Sequence, residues 1–88
     1  MNEEITAVVG LELYSFDGRI LEIFGPYPKR YHVAHLRLNL SDPDRKGNRK
    51  LQLDTPGVRS TTTITAKQWA SSPNLPTLLQ AVHTATNQ

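Results

Sequence analysis

Along residues 5–14 apolar side chains recur at every second position: Ile5, Ala7, Val9, Leu11 and Leu13 alternate with Thr6, Val8, Gly10, Glu12 and Tyr14. A period of two marks a half-buried strand and predicts one strand here, odd-numbered residues inward, unless Gly10 breaks the run. FDG is a turn signal, and RILEIF reads as the next strand. A two-residue Asp17-Gly18 turn sets Leu13 opposite Glu22 and Leu11 opposite Phe24. A three-residue loop, Phe16-Asp17-Gly18, sets Leu13 against Leu21 and Leu11 against Ile23. The second choice keeps apolar residues on one face and is the expected register, although it leaves Glu12 opposite Glu22.

GPYPKR, residues 25–30, interrupts pairing because each proline removes a backbone donor. YHVAHLRLNL predicts a third strand with Ala34, Leu36, Leu38 and Leu40 on one face, and KLQLD a fourth with Leu51 and Leu53 facing the same way. Pairing Leu40 with Leu51 and Leu38 with Leu53 also sets Arg37 opposite Asp54, Asn39 opposite Gln52 and Asp42 opposite Arg49. Apolar partners and opposite charges from one register are mutually supporting. Asp44-Arg45-Lys46-Gly47 is then a four-residue tip, with glycine at a left-handed position. In this reading Ser41–Pro43 and Asn48–Lys50 extend the two strands. After the TPG turn, VRSTTTITAK predicts a fifth strand whose polarity suits a sheet edge.

SSPNLPTLLQAVHTA changes period. Leu75, Leu78, Leu79 and Val82 fall at helical spacing, with Ser72 or Asn74 as cap and a proline just inside. This is a short amphipathic helix whose apolar stripe must pack on the sheet, with Trp69 plugging the same junction. The terminal ATNQ is expected to fray. The order predicts one α+β domain over residues 1–88, an antiparallel β-sheet or open barrel of five to seven strands capped by a C-terminal helix.

Strands running from GLELYSFDGRILEIFG, then Trp69 ahead of PTLLQAVHTA, resemble the bacterial pleckstrin-homology-like domains. There a C-terminal helix caps one open end of a bent, seven-stranded β-sandwich. An OB-type barrel, with its helix between the third and fourth strands, fits less well. In pleckstrin-homology domains that bind phosphoinositides the basic cluster lies on the first hairpin. Here that turn is SFDGR, with only Arg19, so the resemblance does not imply lipid binding.

Eighty-eight residues, 38% hydrophobic and 20% charged, suit one globular core and not a disordered chain. The absence of cysteine rules out thiol chemistry. MNEEITAVVG lacks the layout of a signal peptide and no apolar run is long enough to span a bilayer, so a soluble, cytoplasmic protein is expected. Within residues 41–50, Arg45, Lys46, Arg49 and Lys50 outnumber Asp42 and Asp44, whereas the other six basic and six acidic residues cancel. The whole net charge of +2 therefore sits in SDPDRKGNRK.

DPDRKG opens like a calcium loop, but Lys46 and Leu53 stand where ligands are required and no helices flank it. DTPG lacks the phosphate-binding loop that would make it a GTP-binding element, and is a turn. His32 and His35, an odd number apart on a strand, are expected on opposite faces and so form no metal pair; His83 falls on the helix. The serines and threonines of RSTTTIT have no activating base beside them. No enzyme, cofactor or metal is expected. The candidate site is an anion- or partner-binding set, Lys29 and Arg30 with Arg45, Lys46 and Lys50. The expected function is a small interaction module that binds a protein partner or itself, the polar threonine edge being available for pairing. The alternative is a binder of lipid headgroups or nucleic-acid phosphate through the basic tip.

Overall fold

In the computed structural model, which describes residues 4–86, the first apolar run is two strands. β1 (Ile5–Val9) ends at Gly10, Leu11 completes a two-residue turn, and β2 (Glu12–Phe16) returns antiparallel. Gly10 has a φ of 61°, and a Cβ there would stand 2.9 Å from Gln68 Nε2, so both backbone and space favour glycine. The reversal switches the inward set from odd to even: Ala7 and Val9 are buried from β1, Tyr14 and Phe16 from β2. Leu11 and Leu13 are thereby exposed, not in the core as the alternation predicted.

The first hairpin register shifts with it. β3 (Ile20–Phe24) places Leu21 opposite Phe16, Ile23 opposite Tyr14 and Phe24 opposite Leu13, so neither expected register forms. The turn is tied by Asp17, whose Oδ1 accepts from the N–H groups of Arg19 (2.9 Å) and Ile20 (2.8 Å). Those bonds hold the Asp17 carboxyl below its ordinary pKa. Glu22 faces Arg30 on β4 (Lys29–His32), not Glu12. The four strands form one sheet in the order β1-β2-β3-β4.

The predicted third strand is likewise interrupted. A 3₁₀ turn, Val33–His35, separates β4 from β5 (Arg37–Leu40), leaving Ala34 exposed, while Leu36 and Leu38 are buried. His32 Nδ1 accepts from Ala34 N–H at 3.1 Å and so caps the turn. β5, β6 (Arg49–Thr55) and β7 (Val58–Ile64) form a second antiparallel sheet in that order, with β7 at an edge as its polarity predicted. Between β5 and β6 all four expected pairs occur, Leu40 with Leu51, Asn39 with Gln52, Leu38 with Leu53 and Arg37 with Asp54. The described strands close no barrel.

Two helices complete the chain. α1 (Ala66–Ser71), whose Ala66 and Lys67 the sequence reading places at the end of a strand, opens with a capping box: Gln68 N–H donates to Thr65 Oγ1 and Thr65 N–H to Gln68 Oε1. α2 (Leu75–Thr86) buries Leu75, Leu78, Leu79 and Val82, the predicted stripe. It packs against β1, β5 and the 3₁₀ turn, closing a core shared by both sheets. Ser72 and Asn74 do not cap α2 with their side chains. Ser72 Oγ donates to Val8 O and Asn74 Nδ2 to Thr6 O, pinning the helix entry to the outer edge of β1. Ala85 and Thr86 are helical, against the expectation of fraying; residues 87 and 88, and the acidic start at residues 1–3, lie outside the described residues.

Gly10→Ala is expected to cost about 1 kcal/mol from the left-handed conformation alone, read as a lower denaturation midpoint. Burial pushes the Tyr14 hydroxyl from 10.0 up to about 12, with Glu12 and then Tyr31 adding to the rise. Folding thus favours the neutral phenol, and its contribution is intact below pH 10 and lost as pH rises toward about 12. Tyr14→Phe should flatten that alkaline loss in unfolding curves collected across this range.

Candidate functional site

The basic tip folds as its composition dictates. Asp44 Oδ1 accepts from Lys46 N–H and Asn48 N–H, both at 2.9 Å, while Gly47 N–H reaches Asp44 O at 3.0 Å and Gly47 takes a φ of 82°. The tip is therefore a rigid Asx-type turn with Arg45 and Lys46 exposed on it. The extension of both strands toward it is shorter than expected: β6 begins at Arg49, and residues 41–44 form no strand, being tied across the hairpin by backbone bonds from Ser41 N–H to Lys50 O and from Asp44 N–H to Asn48 O, both of 2.9 Å.

The expected Asp42–Arg49 ion pair does not form. The Arg49 guanidinium stands 4.4 Å from the centroid of the Trp69 ring, and its Nη1 donates to Ser41 O at 3.5 Å. The indole, half-buried against the core on α1, offers a π-face that an exposed carboxylate does not match. Arg37 and Asp54 oppose each other as predicted without pairing. Arg59 on β7 is also opposite Asp54 and donates Nε to Oδ1 at 3.1 Å, while Gln52 donates to Oδ2 at 2.9 Å. Both carboxylate oxygens are thus engaged.

The five candidate basic residues fall into two groups. Arg45 and Lys46 share the tip, with Lys50 on the outer face of β6 beside it. Lys29 and Arg30 open β4, in the other sheet, and as consecutive strand residues they point to opposite faces. Nor are the histidines divided as expected. The 3₁₀ turn brings the rings of His32 and His35 to 6.1 Å between centroids, while His83 lies on α2. Among the described residues no three His, Cys, Asp or Glu side chains gather as metal ligands. A shallow depression of about 400 Å³ between β5 and α2 is lined by Leu40, Arg49, Trp69, Leu79, Gln80 and His83.

A second surface was hidden by the misplaced phase of the first run. On the outer face of the four-stranded sheet, Val8, Leu13 and Phe24 stand directly opposite one another across β1, β2 and β3. They are 63%, 38% and 46% exposed. Leu11, 89% exposed, extends this row at the Gly10 turn, and Gly25 lies against that turn, its Cβ position 3.6 Å from Leu11 O. Tyr27, 80% exposed, sits in the same β3–β4 connection. The adjacent row, Thr6, Ser15, Glu22 and Arg30, is polar. Glycine at position 10 was the one sequence signal that could have exposed this surface.

Comparison with protein-family models, with curated proteins and with solved structures found no match. Among the described residues no helix is long and apolar enough to cross a membrane.

Removing the guanidinium with Arg49→Met should cost about 0.5–1 kcal/mol of stability. Because Trp69 is the sole tryptophan, the same variant should shift its emission spectrum, which checks the contact directly.

Proposed function

We propose that this chain is a pleckstrin-homology-like interaction module that works by binding a protein partner, not by catalysis. Element order supports the first half of this reading. Four antiparallel strands are followed by three more and then, after Trp69, by a helix whose apolar stripe closes the core.

The observation that carries the second half is the apolar row. Scattered exposed leucines are ordinary on a protein surface, but five large apolar side chains gathered on one sheet face and its adjoining turns mark a contact surface. The partner that fits is a protein segment with an apolar stripe for Val8, Leu13 and Phe24 and polar groups to meet Glu22 and Arg30 along the adjacent row. Burying one such side chain is worth roughly 1.5–3 kcal/mol. The anionic-ligand reading has less support, since its basic residues are shared between two sheets and Arg49 is committed to Trp69.

A photo-reactive side chain installed at position 11 should give a discrete protein adduct in cells, lost when Leu13→Asp is added to the same chain and retained with Arg45→Glu and Lys46→Glu. No adduct at position 11, together with salt-sensitive adducts from position 45, would reverse the order of the two readings.

A further inference from the structure

We propose that β7 is a self-association edge: two copies of this chain pair β7 with β7, antiparallel, about a two-fold axis at Thr61. This uses a different surface from the apolar row and does not depend on it.

The free sheet edges differ in how they are protected. The outward carbonyls of Thr6 and Val8 on β1 are already taken by Asn74 and Ser72. β4 is four residues long, follows Pro26 and Pro28, and carries Lys29 and Arg30. β5 is also four residues long and lies against α2. Short length, proline, charge and cover are the usual protections of an edge. β7 has none of them except Arg59: it is seven residues long, without lysine or proline. Its pairing with β6 starts from Thr55 opposite Val58 across a two-residue turn, which directs Val58, Ser60, Thr62 and Ile64 to β6. The N–H and C=O groups of Arg59, Thr61 and Thr63 therefore face outward, and no backbone hydrogen bond to another segment reaches them among the described residues.

A second copy fits this edge because the edge is self-complementary. Centring the pair on Thr61 sets Thr61 against itself and Arg59 against Thr63, so every outward-facing residue meets another and about six inter-strand hydrogen bonds form. Shifting by two residues in either direction leaves part of this set unmatched. Threonine opposite threonine is a favourable cross-strand pair. The two Arg59 side chains fall about 14 Å apart along the strands, beyond the screening length of about 8 Å, and each is held by its own Asp54 at 3.1 Å. The same register brings Val58, 60% exposed, to the Ile64 end of the other strand. It also sets Gly57 beside Thr65 of the second copy, and no atom lies within 4 Å of a Cβ position at Gly57 to obstruct the approach.

Light scattering across a concentration series should show a dimer that dissociates on dilution. Thr61→Pro removes an outward N–H without breaking a bond to β6, and Thr61→Asp places like charges on the axis; both should be monomeric with unchanged circular dichroism. Should the proline variant fold poorly, the aspartate variant decides. In a chain without cysteine, Thr61→Cys should cross-link on oxidation, because opposed residues about 5.5 Å apart lie within disulfide range, whereas Thr63→Cys alone should not. A wild-type monomer at high concentration, a dimer that survives Thr61→Asp, or equal cross-linking at positions 61 and 63 would overturn the proposal. Leu13→Asp should leave the dimer intact; dissociation there would place the contact on the apolar row and overturn it equally.

Discussion

The reversal at Gly10 decides which side chains this protein hides. With a φ of 61° and Gln68 lying where a Cβ would point, the chain turns at this position after five strand residues. Side chains alternate along a strand, so the position of a turn selects the whole inward set of the next strand. Because β2 begins at Glu12, Tyr14 and Phe16 meet Ile23 and Leu21 in the core, and Leu13 faces away with Val8 and Phe24. Core and exposed apolar row are two outcomes of one backbone constraint.

Legibility in the sequence varied with how many independent signals agreed. The β5–β6 hairpin was readable because two leucine pairs, a charged pair, an amide pair and a glycine at the tip all required the same register. The stripe of α2 was readable because Leu75, Leu78, Leu79 and Val82 admit one period only. At the N-terminal end the signals conflicted. Ala7, Val9, Leu11 and Leu13 form one apolar series, and Val8, Tyr14 and Phe16 nearly form another, so alternation alone could not choose between them. The T-x-x-Q start of α1 was present in TAKQ but stood at the end of a β-branched run that dominated the local pattern. The basic tip, a local feature, was legible in its geometry. The apolar row was not, because the alternation assigned Leu11 and Leu13 to the interior and so left Val8 an isolated apolar residue on the outer face.

Charge placement follows geometry more than proximity in sequence. Asp54 has Arg37 opposite it on one side and Arg59 on the other, yet its two oxygens go to Arg59 and Gln52. Arg49 turns from Asp42 to an indole face. Such exposed ion pairs contribute little to stability. Their effect is to hold cations in place, whereas Arg45 and Lys46 project uncommitted from a turn that Asp44 has already made rigid.

The bonds from Ser72 and Asn74 to β1 join segments 64 and 68 residues apart. They set an order on maturation as well as on architecture. β1 leaves the ribosome before α2, and its outer carbonyls remain open until the start of α2 has followed. β1 is thus sealed late, and until then its outer edge stays open to pairing with another polypeptide. Contacts of such long sequence separation also slow folding, because a large loop must close before they form.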